Sequence, residues 1–476
     1  MLKGEKRRTC PRNYTMETDG GGESYTVETR RHREGESLVK QPQKEEKGGH
    51  PQFSNRVHNV FLNQIPFLLL FKFSAVALKL PHSHPQAPYS PFSLYIIPFH
   101  SSLTLQQTHI SKYSLSLSLS PSLSLSLSLS ISLSLSLHRI MVCQKKLVDE
   151  VSGWLRIFDD GSVDRTWTGP PEVKFMAESV PPHEDFLDGV ATRDVVADPN
   201  SGLKVRIYLP EKKADSSYDK MPVVIHFHGG GFCISRADWY MYYSTYAKLA
   251  ASAGAIVVSV YLRLAPEHRL PAPCHDGYAA LLWLRSLARG DSHEEWLNSH
   301  ADFTRVFLIG DSSGGNIVHQ VASMAGDADL SPVKLAGAIP IHPGFVRVER
   351  SKSELEHPES PFLTLDMVDK FLSFALPVGC NKEHPITCPM GEAAPPLQGL
   401  RLPPVLLCVA EKDLILDTEM EYYEAMQKSG QEVELVESSG MGHSFYLNRI
   451  AVKVDPHTAQ QTQKLFAAIS DFIHKH

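Results

Sequence analysis

The sequence predicts an α/β fold: a mostly parallel central sheet with helices on both faces and a cap or lid. Three observations carry that prediction. Short apolar runs rich in Val and Ile alternate with longer stretches whose apolar residues recur at three- and four-residue steps. The alternation persists from about residue 200 to the C terminus, which is the pattern of strand–helix–strand crossovers. One segment, 345–400, breaks the rhythm with Pro358, Pro361, Pro377, Pro385, Pro389, Pro395 and Pro396. A long irregular insertion in a regular sheet commonly builds a lid or binding element.

In chain order, Val205, Ile207 and Leu209 alternate with longer polar side chains and predict a strand over 204–209. The run 223–227 is apolar apart from His226 and predicts a buried strand. A helix over 242–253 leads to a strand over 255–260. A helix over 276–288, a strand over 306–309 and a helix over 316–325 follow. Next come a strand over 335–341 and, inside the insertion, one helix over 365–375. A strand over 404–409 and a helix over 418–428 precede a weaker strand, 432–437, with only Val433, Leu435 and Val436 apolar. The last helix, 458–474, sets Leu465, Ile469 and Ile473 on one face. The segment 141–190 precedes the sheet and is expected to join the insertion as part of the cap.

The first 140 residues read differently. No Asp or Glu occurs between Glu46 and Asp149, a gap of 102 residues. Within it, 114–137 alternate Ser and Leu, interrupted only by Pro121 and Ile131, both at Leu positions. A TCTCTC repeat translates as Ser-Leu, and one base change turns that Leu codon into Pro or Ile. The simplest account is untranslated leader read as protein, with Met141 as the expected start. A strand with one bare Leu face would be an aggregation hazard. The expected organisation is therefore a low-complexity or disordered leader, 1–140, then one folded domain, 141–476. Its cap elements lie at about 141–190 and 345–400.

The whole chain carries a net charge of −6. That figure hides an asymmetry: 1–140 has a net of +7 and 141–476 a net of −13. So acidic a folded part argues against nucleic acid or anionic lipid as its partner. The best membrane candidate, 65–80, is broken by Lys72, so no stable membrane insertion is expected. Seven cysteines without a C-x-x-C read as reduced thiols rather than a zinc site. Neither a metal nor a cofactor is expected, and oligomeric state is not legible.

The chemistry concentrates in four places. Gly310-Asp311-Ser312-Ser313-Gly314 matches G-x-S-x-G between a predicted strand and a predicted helix, the setting that presents a Ser hydroxyl above a sheet. His228-Gly229-Gly230-Gly231 ends another strand, and such glycines leave backbone N–H groups free to point at one spot. With the N–H of Ser313 they could hold an oxyanion, each donor contributing about 2.7–4 kcal/mol to the transition state. A Ser nucleophile needs a base, and the base needs an orienting acid, in the chain order Ser, acid, His. Asp413 and His443 each follow a predicted strand in that order. Asp417 is the expected N-cap of the helix after Asp413. His226 and His228 share a strand face but lack a third metal ligand at suitable spacing; His228 is expected to buttress the glycine loop.

These motifs, with Tyr261-Leu262-Arg263-Leu264-Ala265-Pro266-Glu267, resemble the hormone-sensitive-lipase branch of the α/β-hydrolases. More closely, 141–476 is similar to plant carboxylesterases and within them to the carboxylesterase-15 group. The resemblance implies a serine esterase with catalytic Ser312, Asp413 and His443, an oxyanion hole from Gly230, Gly231 and Ser313, and no cofactor. The family usually has Ala where this chain has Ser313. Relatives in the carboxylesterase-15 group hydrolyse strigolactones, so a small-molecule ester of that type is the implied substrate. Alternatives on the same frame are a hormone receptor resembling gibberellin receptors, which lack the catalytic His, and a hydroxyisoflavanone-type dehydratase. A cytoplasmic location is expected, with the nucleus left open. Phe371 and Phe374, on the insertion helix, are expected to touch substrate.

Overall fold

A computed structural model describes residues 145–212 and 220–476. The expected leader, 1–140, and the expected start at Met141 lie outside these residues.

Strands β1 (Leu147–Val151), β2 (Leu155–Phe158) and β3 (Val163–Asp164) form a small antiparallel sheet of their own. The main sheet holds eight strands: β4 (Val190–Asp198), β5 (Leu203–Pro210), β6 (Met221–Phe227), β7 (Ile256–Val260), β8 (Ala301–Asp311), β9 (Leu335–Ile341), β10 (Val405–Ala410) and β11 (Val433–Ser438). Their spatial order is β11-β10-β9-β8-β6-β7-β5-β4. From β7 to β11 every pairing is parallel; β4 and β5 add antiparallel. The central strands are buried along almost their whole length, which is why they read as unbroken apolar runs.

The helices are α1 (Tyr240–Ala253), α2 (Ala272–Arg289), α3 (Glu295–His300), α4 (Ser313–Gly326), α5 (Lys352–Glu356), α6 (Leu365–Ala375), α7 (Leu416–Lys428), α8 (Arg449–Val454) and α9 (Pro456–Lys475). The chain steps from β6 outward to β7, then back across β6 to β8 and on to β11. Right-handed crossovers then put α1 on one face and α2, α4 and α7 on the other. The packing agrees, since α1 meets α9 while α2 meets α4. Reversal of direction between β6 and β8 makes the crevice at their C-terminal ends the place for a site.

All seven expected strands and six expected helices form, with ends shifted by a few residues. Beyond the extra elements β4, α3, α5 and α8, three details differ. Asp417 is not an N-cap: Ile415 holds that position, and the Asp417 carboxylate accepts the Ser353 N–H of α5 at 2.7 Å. A long-range partner won over the local one. Cys380, in the loop after α6, is disulfide-bonded, so reduced thiols throughout do not hold at that residue. Cys233, Cys274, Cys388 and Cys408 are buried and free. Finally, the small N-terminal sheet was not foreseen. It is tied to α6, where Lys370 Nζ donates to the Glu150 carbonyl at 2.8 Å.

Candidate active site

Five strand ends converge here. β8 runs straight into Ser312, which takes φ 52° and ψ −124° before α4 begins. A positive φ on a non-glycine residue typically costs about 1–3 kcal/mol and must be held from outside. The Ser312 N–H donates to the Ile341 carbonyl at 2.9 Å, and the Ser312 carbonyl accepts from Gly315 and Gly344 at 2.8 and 3.0 Å. The turn also needs bare backbone: a Cβ on Gly314 would stand 2.1 Å from the Phe227 carbonyl oxygen.

β6 ends in the glycine loop. Gly230 and Gly231 have φ 101° and 59°. The Gly229 N–H donates to Tyr242 Oη at 3.1 Å, and that hydroxyl donates on to Asp311 Oδ2 at 3.3 Å. Gly229 is thereby tethered away from the cavity. Among the described residues no acceptor takes the N–H of Gly230, Gly231 or Ser313. His228 donates its Nδ1–H to the Gly229 carbonyl at 2.9 Å, and burial pushes its pKa down to about 4. It is a neutral brace for the loop, as its position suggested. His226 bonds Ser259 Oγ through Nδ1 at 2.7 Å.

Asp413 follows β10 and His443 follows β11. The His443 Nδ1–H donates to Asp413 Oδ2 at 2.7 Å, and the Ile415 N–H donates to Asp413 Oδ1 at 3.2 Å. Asp413 is fully buried. Burial alone would push its carboxyl up, but His443, then His342 and the Ile415 N–H, hold it below the usual range. His443 Nε2 is buried without a hydrogen-bond partner, so the Ser312 hydroxyl does not bond it in this structure. Both side chains nonetheless line one cavity. Ring nitrogens of His342 and His443 and an Asp413 oxygen lie within 4.8 Å of one another, a spacing a metal could use. The 2.7 Å contact between His443 and Asp413 is a hydrogen bond. Tetrahedral ligands at about 2.0–2.1 Å from zinc would stand roughly 3.3 Å apart.

The cavity volume is about 80 Å³. Its walls are apolar: Phe232, Ile234, Phe362, Met367, Phe371 and Leu447 among others, with Trp154 from the β1–β2 turn. Phe371 is thus on the wall. Phe374 is not; one turn further along α6, at 1.5 Å of rise per residue, it passes the end of the cavity and packs half-buried against the core. Trp154 and Leu447 were missed because no local pattern marks them; each reaches the cavity only through the fold.

A hydroxyl on a strained strand–helix turn, a buried acid–imidazole pair and free backbone N–H groups around one cavity define a hydrolase-type site on an α/β frame. A family model described as the alpha/beta hydrolase fold matches residues 224–447. Probable carboxylesterase 6 of Arabidopsis thaliana is 36% identical over 330 residues, covering 69% of this chain and 92% of that one. Tuliposide A-converting enzyme 1, chloroplastic, of Tulipa gesneriana is 36% identical over 305 residues, covering 64% and 74%. A solved bacterial heroin esterase is 25% identical with a TM-score of 0.50, covering 60% of this chain and 85% of that one. The chain belongs to the α/β-hydrolase family, among the plant carboxylesterases of its hormone-sensitive-lipase-like branch.

Proposed function

We propose that this carboxylic ester hydrolase works through Ser312 as nucleophile, His443 as base and Asp413 as orienting acid. The Ser312 hydroxyl attacks the acyl carbonyl while His443 Nε2 takes its proton. Asp413 fixes the imidazole tautomer through Nδ1 and balances the charge that forms. The N–H groups of Gly230, Gly231 and Ser313 receive the oxyanion. Collapse breaks the ester C–O bond, and the alcohol leaves with the proton from His443. Water, activated by the same imidazole, then cleaves the acyl-serine and restores Ser312.

The observation that carries this reading is the pairing of His443 Nδ1 with buried Asp413 while Nε2 stays free at the cavity that Ser312 lines. Purified protein should cleave a short-chain nitrophenyl ester, and Ser312→Ala should abolish turnover. Unchanged turnover in that variant would refute the reading.

The apolar walls favour small, uncharged esters, a strigolactone-type ester among those to be tried. The segments 141–190 and 345–400 act as the cap that selects among them, with Trp154, Phe362, Met367 and Phe371 among its contacts on the cavity. The cytoplasm, or the nucleus, is the proposed location. Relatives in tulip are named chloroplastic or amyloplastic, so tagged protein should be imaged against a plastid marker. Among the described residues no helix is long and apolar enough to cross a membrane.

A further inference from the structure

His342 closes β9 and is fully buried, yet it has no part in the steps just described. Its backbone takes φ 45°, a left-handed conformation that non-glycine residues adopt at a cost. Its N–H donates to the Cys408 carbonyl at 2.8 Å. Its ring packs against the rings of Phe445 and Tyr446, with centroids 5.9 and 6.0 Å away, and lies 5.9 Å from that of His443. The Ser444 N–H donates to His342 Nδ1 at 2.9 Å. That bond settles the tautomer. Nδ1 must be bare to accept, so the proton of the neutral ring sits on Nε2. Nε2 is buried and has no hydrogen-bond partner. A buried donor left unmatched typically costs about 1–3 kcal/mol and calls for an explanation.

We propose that His342 is a positioning residue for the Asp413–His443 pair, anchoring the catalytic loop at Ser444 while its Nε2–H serves as a donor pole in the Asp413 cluster. This rests on the reading of Ser312, Asp413 and His443 given above. Burial pushes the His342 pKa down to about 4, so the ring stays neutral and keeps this tautomer at working pH. A ring nitrogen of His342 lies within 4.8 Å of an Asp413 oxygen and a His443 ring nitrogen, and the charge of Asp311 at the end of β8 also reaches it. The charge of Asp413 also acts on Glu419 of α7. An N–H dipole in this cluster favours the ionised carboxylate, the form that must be present when His443 becomes a cation.

Two substitutions separate the two halves of the role. His342→Asn keeps an acceptor near Nδ1 for Ser444, tolerates the positive φ and loses the Nε2 donor. His342→Gln keeps a donor near Nε2 and loses the anchor. For His342→Asn we expect an unchanged melting temperature, kcat down about tenfold with KM unaltered, and the acid limb of kcat/KM moved up by about one pH unit. For His342→Gln the acid limb should stay near its original position. Identical acid limbs in unaltered protein and His342→Asn would overturn the assignment. So would equal losses in both variants that track melting temperature. Asp413→Asn is the control: if it removes turnover while the His342 variants behave as the unaltered protein, only His342 was misassigned. If Asp413→Asn leaves turnover intact, the triad reading falls and the role of His342 with it.

Discussion

The Ser313 hydroxyl accepts the backbone N–H of Phe232 at 3.1 Å, joining the turn that carries the proposed nucleophile, Ser312, to the loop that carries the glycines. An Ala at this position would have nothing to offer that N–H. In this chain the two halves of the proposed oxyanion site are therefore stitched to each other as well as to the sheet. Ser313→Ala should leave the Phe232 N–H buried and unmatched, destabilising the protein by about 1–3 kcal/mol. The loop would gain freedom, so kcat should fall a few-fold with KM little changed. Thermal melts and steady-state kinetics on one short ester check both. A variant as stable and as active as the parent would mean the hydroxyl merely fills space.

Tyr242 braces the same loop from below. Its hydroxyl accepts from Gly229 and donates to Asp311 Oδ2. Burial, then the Asp311 charge, keeps the phenol far above its usual pKa, so it remains a donor at every working pH. Tyr242→Phe removes one group and strands two. We expect a loss of about 2–4 kcal/mol in stability and about tenfold in kcat, from single-bond values applied twice. Retained kcat with lowered stability would show that the glycine loop holds its shape without the tether.

Phe371 tests the cap. Its ring fills the space where a Gly231 side chain would sit; a Cβ there would come within 2.5 Å of Phe371 Cδ2. The α6 helix therefore rests directly on the glycine loop. Phe371→Ala should enlarge the cavity and change the preference between short and bulky esters several-fold. Stability should fall by less than the roughly 3–5 kcal/mol of a core Phe deletion, because one side of the ring faces the cavity. Equal loss of activity on all esters, in step with stability, would mark Phe371 as core only.

The central sheet and the candidate triad were legible for one reason. Buried parallel strands are continuous apolar runs, and active-site loops follow their C-terminal ends in a fixed order. The edge strand Val190–Asp198 was not legible, because its antiparallel, half-exposed residues alternate charge with Val and match no buried run. The role of the Ser313 hydroxyl was invisible for another reason: its partner lies 81 residues upstream. His342 is one His among 23, and nothing near it in sequence distinguishes it. Asp417 shows the converse hazard. A residue type that suits a local cap was claimed by Ser353, 64 residues away.

Glu419, in the first turn of α7, offers a stability test independent of catalysis. It is fully buried, and neither carboxyl oxygen has a hydrogen-bond partner. Burial, then the nearby charge of Asp413, pushes its pKa well above the ordinary 4.5. The folded protein therefore keeps this proton at pH values where the unfolded chain has lost it. Across that window the folded state holds more protons, so stability falls as pH rises above about 4.5. Each pH unit in the window costs about 1.4 kcal/mol until the folded pKa is passed. Asp413 works in the opposite sense. Its depressed pKa gives stability that is present above 3.8 and lost as pH falls through the folded value. Glu419→Gln removes the first effect and leaves Asp413 its His443 partner, which carries the second. The variant should be more stable than the parent at pH 8 and little or no more stable at pH 4, read as melting temperature across that range. An equal gain at both ends, or a loss at pH 8, would mean that Glu419 is ionised in the folded protein and has found a partner for its charge.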